Sequence, residues 1–396
     1  IHVIFCNINV VKVKKKNKRK LYMKSIHWLG AGLSSIPGIR RLAKKNVKLT
    51  VWNRTLSKAE NSINHVNSEN IKAKEFNFSE IINSIDEGDI VISQLAANMH
   101  PEIAKLCLQK KCHFASTSYT SPEIIKLHED AKKLNLVFIN EVGLDPGIDH
   151  FFSHLLVNEL KNKKFKNLSV SYQSYCGGIP ALPNDFKYKF SWSPLGVIKA
   201  LNNNSIFIEN FKETIVVPYK HIRDYSINNE IFEAYPNRNS IPYIKEYMFA
   251  EDWKIEEFIR GTLRLKGWKN AWKEIFNILE NKPDDLEEKI KNKSDELWNQ
   301  YKYKENEEDR VILWVKLDAK KDNKNIWSKF YYLDEKGSGE DTAMAKLVSI
   351  TLSASIDLII ENKLPAGVQV APSNKNHIDY FFKILSDYSI KINSSE

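Results

Sequence analysis

The stretch Ile26-His27-Trp28-Leu29-Gly30-Ala31-Gly32-Leu33-Ser34-Ser35-Ile36-Pro37-Gly38 decides the fold. A short apolar run stops at a G-x-G turn, and helical spacing follows. In a strand-turn-helix unit Gly30 permits the tight turn, and Gly32 lets the backbone approach a pyrophosphate at the N-terminus of the next helix. Ser35 stands where the full fingerprint would have a third glycine. Alone, such a turn can be merely structural; the rhythm around it adds the rest. Strands are predicted at Ile26–Leu29, Val47–Trp52, Ile71–Lys74, Asp89–Ser93, Cys112–Ala115 and Leu136–Ile139, with helical windows such as Ile36–Lys45, Pro101–Lys110 and Pro122–Lys133 between them. Parallel neighbours need crossover helices, so this alternation implies a Rossmann-like, doubly wound parallel sheet.

The end of the second strand selects the nucleotide. A dinucleotide site for NAD usually has Asp or Glu there, about 20 residues on, for the ribose 2′-hydroxyl. Here the chain reads Val51-Trp52-Asn53-Arg54-Thr55. A guanidinium suits a 2′-phosphate, which favours NADP(H); the alternative is an ordinary loop arginine. Two later loops, Gln94–His100 and Ser116–Ser121, should face the nicotinamide half, with Thr117, Ser118 and Tyr119 offering hydroxyls. Their plainer reading is solvated loop residues with Ser121 as a helix cap.

Composition bounds the classes. The 396 residues suggest two or three domains, and 42% hydrophobic with 27% charged residues is globular. No run approaches the roughly 18 apolar residues of a membrane span, so no membrane partner is expected. The net charge of +10 invites a nucleic-acid reading, but residues 1–22 hold seven basic and no acidic side chains, and +10 less 7 leaves +3. No nucleic-acid partner is expected. Met23 precedes the first strand, so residues 1–22 read as a non-native or disordered extension, with a basic RNA-binding arm or targeting peptide as rivals. Four cysteines without C-x-x-C spacing suggest a reducing, cytoplasmic setting and no metal site. His150 and His154 read as a structural or solvated pair.

The junction Glu141-Val142-Gly143-Leu144-Asp145-Pro146-Gly147-Ile148-Asp149-His150 reads as a hinge between a cofactor domain and a substrate domain. Asp145 could cap the helix that begins near Ile148, or serve a site. Past it come a strand at Leu168–Ser174 and the segments Tyr175-Cys176-Gly177-Gly178-Ile179-Pro180 and Tyr188-Lys189-Phe190-Ser191-Trp192-Ser193-Pro194.

Gly143–His150 (G-L-D-P-G-I-D-H), Tyr175–Pro180 and Tyr188–Pro194 together resemble the saccharopine dehydrogenase family, in its NADP-dependent, L-glutamate-forming branch. Ala234–Ser240, Ile259–Arg264 and Gly339–Pro372 continue the likeness, which spans nearly all of the chain from Met23. The resemblance implies reduction of the imine of L-glutamate and 2-aminoadipate 6-semialdehyde to saccharopine, or the reverse. It implies nucleotide contacts at Gly30, Ala31, Gly32, Leu33, Ser34, Asn53, Arg54, Thr55, Thr117, Ser118, Leu144, Asp145 and Pro146. Substrate contacts fall on Ser118, Tyr119, Asp145, Arg238, Gly261 and Thr262, and proton transfer on Asp145 and Cys176. Small-molecule partners follow, and a homodimer is left open. The alternatives are a related imine reductase with another amine and aldehyde, of carboxynorspermidine type, or a non-catalytic nucleotide-binding regulator. Gln94–Met99 (Q-L-A-A-N-M) departs from the family's proline- and aromatic-containing turn.

The expected organisation is a Rossmann-like domain at 23–147, completed by 345–396. A mixed α/β substrate domain covers 148–246 with 310–344. A small helical insertion occupies 247–309. Strands at Val311–Leu317 and Trp327–Leu333 are expected to flank a polar hairpin loop, Asp318–Asn325.

Overall fold

Short apolar strands can bury both faces of a parallel sheet when helices cross over each face, and the first unit does this. The computed structural model describes residues 24–281 and 284–395, so the expected extension 1–22 lies outside the described residues. In chain order the first unit holds β1 (Ser25–Leu29), α1 (Ile36–Ala43), β2 (Lys48–Asn53), α2 (Leu56–Ile63), β3 (Ile71–Glu75), α3 (Phe78–Ser84), β4 (Ile90–Ser93), α4 (His100–Lys110), β5 (His113–Ser116), α5 (Pro122–Ile125), α6 (His128–Lys133) and β6 (Val137–Ile139). Each of the six strands expected for this unit is present, shifted by no more than one residue at either end. The single helix expected over Pro122–Lys133 is two. It breaks where the Leu127 amide bonds the Ile124 carbonyl three residues back, not four.

The second unit follows with α7 (Ile148–Asn162), β7 (Ser169–Pro180), α8 (Pro194–Asn202), β8 (Ser205–Glu209), β9 (Lys212–Val216), β10 (Arg223–Ile227), β11 (Glu230–Pro236), α9 (Pro242–Glu246), β12 (Lys254–Leu265), α10 (Trp268–Ala271), α11 (Lys273–Asn281), α12 (Leu286–Tyr301), β13 (Glu308–Lys321) and β14 (Lys324–Ser338). The chain then returns to the first unit through α13 (Ala343–Ile360), β15 (Gly367–Gln369) and α14 (Lys375–Asp387), and ends with β16 (Asn393–Ser394).

Among the described residues the first sheet runs β15-β6-β5-β4-β1-β2-β3. Every pairing is parallel. The strand order reverses between β1 and β4, which opens a crevice at the carboxyl ends of those strands. Gly30 sits at that point with φ +101°, and a Cβ there would stand 2.7 Å from the Gln94 carbonyl oxygen. The second sheet runs β10-β11-β12-β7-β13-β14-β16, with β8 on β12 and β9 on β8.

Two expectations change here. Residues 247–309 are not a helical insertion throughout, because Lys254–Leu265 forms β12, hydrogen-bonded between β11 and β7 in the middle of the second sheet. The tryptophans and charges on both sides of it imitate helical spacing; the helical part begins at Trp268. The polar loop Asp318–Asn325 shrinks to a two-residue turn, Asp322-Asn323, both with positive φ, because that conformation matches the twist of the paired strands.

Helix α13 ties the two units together. It is 18 residues long with a mean hydropathy of 1.7, enough by length and composition to cross a membrane, although Lys346 and Asp357 break the apolar run. It is instead a core helix, 78% of it buried. Its hydroxyls are satisfied internally: Ser349 donates to the Ala345 carbonyl and Thr351 to that of Leu347, both at 2.6 Å. Such small residues let α1 approach closely. The Gly38 amide donates to Ser349 Oγ at 2.8 Å, and Arg41 pairs with buried Asp357.

A Cβ on Gly38 would lie 2.3 Å from the Ser349 carbonyl oxygen, whereas one on Gly32 meets nothing within 4 Å. Alanine improves helix propensity by up to ~1 kcal/mol, but overpacking against backbone outweighs it. Gly38→Ala is expected to cost about 1–3 kcal/mol in denaturant unfolding. Gly32→Ala is expected to stay within about 0.5 kcal/mol of the parent.

Candidate active site

The peptide leaving β6 must turn sharply before α7 can start. The Asp145-Pro146 peptide is cis and Gly147 has φ +147°. A Cβ on Gly147 would lie 2.1 Å from the Gly143 carbonyl oxygen, so only glycine fits. Asp145 does not cap α7, contrary to one of its two readings. The cap residue is Gly147, whose amide donates to Asp149 Oδ1 at 2.7 Å. Asp145 is thereby released toward the second sheet. It is the only residue from Glu141 to His150 that is not buried.

What it meets is Arg260, from the centre of β12. Arg260 is 4% exposed, and its Nη2 donates to Asp145 Oδ1 at 2.9 Å, Asp149 Oδ2 at 2.6 Å and the Tyr119 hydroxyl at 3.2 Å. The Tyr119 hydroxyl in turn donates to Asp145 Oδ1 at 3.1 Å. The guanidinium also stacks on Tyr243 at 4.1 Å. One cation thus gathers two carboxylates from the hinge and a phenol from the first unit. Side-chain exposure separates the carboxylates: Asp149 is fully buried, and Asp145 is 19% exposed. Burial, then the neighbouring Asp149 charge, push the Asp145 carboxyl upward against the pull of Arg260.

Behind this pair lies a second one. His150 Nε2 is 3.0 Å from Glu141 Oε2, and its Nδ1 is 2.8 Å from the Tyr247 hydroxyl. Thr120 gives Glu141 Oε1 its amide at 2.9 Å and its hydroxyl at 2.8 Å. Burial disfavours the Glu141 charge, yet the His150 and Thr120 bonds win and hold the carboxyl down at about 2. For His150 burial is likewise outweighed, here by Asp149 and Glu141, which raise it. His154 is buried too, with neither ring nitrogen bonded among the described residues. Of the two readings of this histidine pair, structural or solvated, the burial of both residues on the core side of α7 fits the structural one.

Strand geometry arranges the rest. Side chains alternate along β12, so Arg260, Thr262 and Arg264 share one face, joined by Cys176, which stands opposite Thr262 on β7. The Cys176 thiol is held far above its usual range by burial, and further by Asp145 and Asp149. It stays protonated. Gly261 lies on the far face, where a Cβ would strike the Tyr175 ring at 2.4 Å, so it presents no side to this cluster. Arg238, exposed and with φ 60°, lies over the Tyr119 ring at 4.7 Å. Ser118 is bonded to His100 Nε2 at 2.8 Å, and His100 Nδ1 to Ser93 Oγ at 2.8 Å. Burial lowers His100 to about 4, so it is a neutral link. Thr117 accepts from Gln94 Nε2 at 3.1 Å.

The nucleotide side fits a dinucleotide phosphate. Gly32 leaves open space, and the amides of Gly32, Leu33 and Ser34 are engaged by no acceptor among the described residues. Asn53 Oδ1 accepts from the Ala31 amide at 3.1 Å and its Nδ2 donates to the Thr55 carbonyl at 2.9 Å, so it fixes the turn. Arg54 and Thr55 are exposed beside it. Leu144 is buried under the hinge. A groove of about 730 Å³ between α7 and α14 holds none of these residues.

The structure brings Asp145, Tyr119 and Arg238 together beside Arg260, with Thr262 and Cys176 on the same face of the second sheet and Ser118 next to Tyr119 in the chain. Sequence reasoning missed Arg260, Asp149, Glu141 and His150 as a connected set. The signal was present: Asp149 and His150 stand in the same hinge motif as Asp145, and Arg260 precedes Gly261 and Thr262.

A family model described as saccharopine dehydrogenase NADP binding domain matches residues 26–139, and one described as saccharopine dehydrogenase C-terminal domain matches residues 143–390. The chain is 36% identical over 256 residues to saccharopine dehydrogenase [NADP(+), L-glutamate-forming] of Schizosaccharomyces pombe, covering 62% of this chain and 56% of that protein. It is 35% identical over 198 residues to alpha-aminoadipic semialdehyde synthase of Arabidopsis thaliana, covering 48% and 18%. The matched chain spans little more than half the length of the L-glutamate-forming relatives. Among solved structures, apo saccharopine dehydrogenase (L-Glu forming) from Saccharomyces cerevisiae superposes with a TM-score of 0.77 at 24% identity, over 94% of this chain and 100% of that one. Homospermidine synthase from Legionella pneumophila gives 0.63 at 13%, over 94% and 91%. These two likenesses show the fold.

Glu141 has a folded-state pKa of about 2 against a reference of 4.5, so its contribution is complete above 4.5 and is lost as pH falls toward 2. Glu141→Gln removes the carboxylate that the His150 and Thr120 bonds stabilise and is expected to cost about 3 kcal/mol near neutral pH. The gap to the parent should close through that acid window in denaturant titrations at pH 7, 5 and 3. A gap independent of pH would contradict the assignment.

Proposed function

The chain belongs to the saccharopine dehydrogenase family, and from that premise we propose that it catalyses the NADP-dependent, L-glutamate-forming saccharopine dehydrogenase reaction. Its substrates would be L-glutamate and 2-aminoadipate 6-semialdehyde in one direction and saccharopine in the other. The observation that carries this reading is Asp145: a carboxylate left reachable at the hinge while Arg260 fixes its position.

NADP(H) is the nucleotide of the family's amino-terminal domain, and the residues here suit it. The Gly30–Ser34 turn offers amides to the pyrophosphate at the start of α1. Arg54 and Thr55 are free to take the 2′-phosphate. When bound, NADPH supplies hydride to the imine carbon.

The protein's own groups handle the protons and the carboxylates. Glutamate must lose an ammonium proton before its nitrogen can attack the aldehyde, and the carbinolamine oxygen must gain one before leaving as water. Asp145 serves both transfers, its affinity for a proton raised by burial and Asp149. Cys176 remains a thiol, so it is not a base, and its S–H can offer a weak hydrogen bond. Arg238, Ser118 and Thr262 supply donors to the substrate's carboxylates, with His100 orienting the Ser118 hydroxyl, while Tyr119 gives its hydroxyl proton to Asp145. Arg260 is committed to Asp145 and Asp149, so it positions the base.

The decisive assay follows NADPH oxidation with 2-aminoadipate 6-semialdehyde while the amine partner is varied. Turnover with glutamate among amino acids is expected; turnover only with polyamines would overturn the proposal. Asp145→Asn is expected to lower kcat by about 10²–10⁴. Arg54→Ala should raise KM for NADPH about tenfold or more, with NADH kinetics unaltered. Unchanged NADPH kinetics would remove Arg54 from the 2′-phosphate site.

A further inference from the structure

Glu141 holds a backbone conformation that glycine adopts more cheaply. Two residues after β6 it has φ 58°, in the left-handed region where a Cβ is costly. What the side chain does there is therefore informative. The turn aims two groups of one residue at one loop. The Glu141 amide donates to the Ser118 carbonyl at 3.3 Å, and its Oε1 accepts from the Thr120 amide at 2.9 Å and the Thr120 hydroxyl at 2.8 Å. These bonds fall on either side of Tyr119. Among the described residues no other hydrogen bond reaches the backbone of Ser118, Tyr119 or Thr120. The opposite carboxylate oxygen, Oε2, is anchored by His150 Nε2 of α7 at 3.0 Å and by the Tyr243 hydroxyl of α9 at 3.3 Å. Glu141 thus ties the loop after β5 to two helices of the second unit.

Tyr119, between the two grips, reaches the centre of the site. Its hydroxyl donates to Asp145 Oδ1 at 3.1 Å and accepts from Arg260 Nη2 at 3.2 Å. The hydroxyl lies at the far end of its side chain, so a small rotation of the loop peptide is magnified there. A displacement of about 1 Å at a site group can cost about 10²-fold in rate. Glu141 itself is 5% exposed and is spent on protein donors, so its influence on the reaction runs through Tyr119.

We propose that Glu141 is a positioning residue that holds the Tyr119 hydroxyl on Asp145, by gripping the chain at Ser118 and at Thr120 while His150 and Tyr243 anchor its carboxylate. The proposal rests on the saccharopine reading above, in which Asp145 moves the protons.

The test is a double-mutant cycle in the full chain. Glu141→Ala is made alone and together with Tyr119→Phe, and kcat/KM for saccharopine is measured with NADP+. Exchange of the Thr120 amide is followed separately, with the Phe114 and Ala115 amides of β5 as the reference. Glu141→Ala alone is expected to lower kcat/KM at least about tenfold, the loss expected for a hydrogen bond to a charged group. In the Tyr119→Phe background the same change should alter it by no more than about twofold, because the hydroxyl being positioned is gone. The Thr120 amide should lose protection at least about tenfold while the β5 amides keep theirs. Equal losses of kcat/KM in both backgrounds make Glu141 merely structural and overturn the proposal, as does unchanged protection at Thr120. If the parent does not turn over saccharopine but the Thr120 amide is released in Glu141→Ala, the clamp stands and the reaction reading falls. Should Glu141→Ala fail to fold, Thr120→Val carries the cycle, because it keeps the shape and removes only the hydroxyl donor. A loss of at least about threefold that vanishes with Tyr119→Phe is expected there; a loss that persists overturns the proposal.

Discussion

A single guanidinium holds the candidate site together. Arg260 projects from the middle of β12, in the interior of the second sheet, and its Nη2 is shared by Asp145, Asp149 and Tyr119. Desolvating a guanidinium costs several kcal/mol unless charges and hydrogen bonds replace water. The hinge supplies two carboxylates at once, and the reciprocal holds: without Arg260, Asp149 would be a buried carboxylate facing another carboxylate. Tyr119 belongs to the first sheet's loop and Arg260 to the second sheet, so the same contact sets the relative position of the two units at the site.

The network divides labour by exposure. Asp149 is sealed in and also accepts the Gly147 amide, which fixes the start of α7. Glu141 and His150 form a buried pair one layer further back, tied to Thr120 on one side and Tyr247 on the other. These groups spend their hydrogen-bonding capacity on each other, and this leaves Asp145 as the member that can meet a substrate. Rigid support behind a reachable group is what precise positioning requires.

The same logic extends along β12. Its alternating side chains carry Arg260, Thr262 and Arg264 onto the cleft face while Gly261, Leu263 and Leu265 pack against the opposite layer. Among the described residues Arg260 has two carboxylate partners and Arg264 none, so two identical side chains four residues apart have opposite electrostatic circumstances. Helix α13 completes the frame: its small residues admit α1 at close range and its amino terminus is held by Asp309, from β13 of the second sheet.

Much of the first unit was legible in the sequence by itself. Local period, proline at helix starts and the Gly30–Gly32 turn determined the β1–β6 rhythm, because in a parallel sheet each strand and crossover helix carries its own pattern. The absence of a carboxylate after β2 and the presence of Arg54 bear on nucleotide choice within one loop. Tertiary structure decided what no local window contains. β12 reads ambiguously beside Trp253, Trp268 and Trp272, and only its pairing with β7 and β11 makes Lys254–Leu265 a strand. Asp145 looks equally like a cap or a catalyst until Gly147 is seen to cap α7 and Arg260 is seen to hold the carboxylate. Asp149 stands four residues from Asp145, but the cation that both carboxylates bind lies more than a hundred residues away. Electrostatic partnership between buried groups is a property of distance in space, and the chain fixes that distance only when both sheets have closed on the hinge.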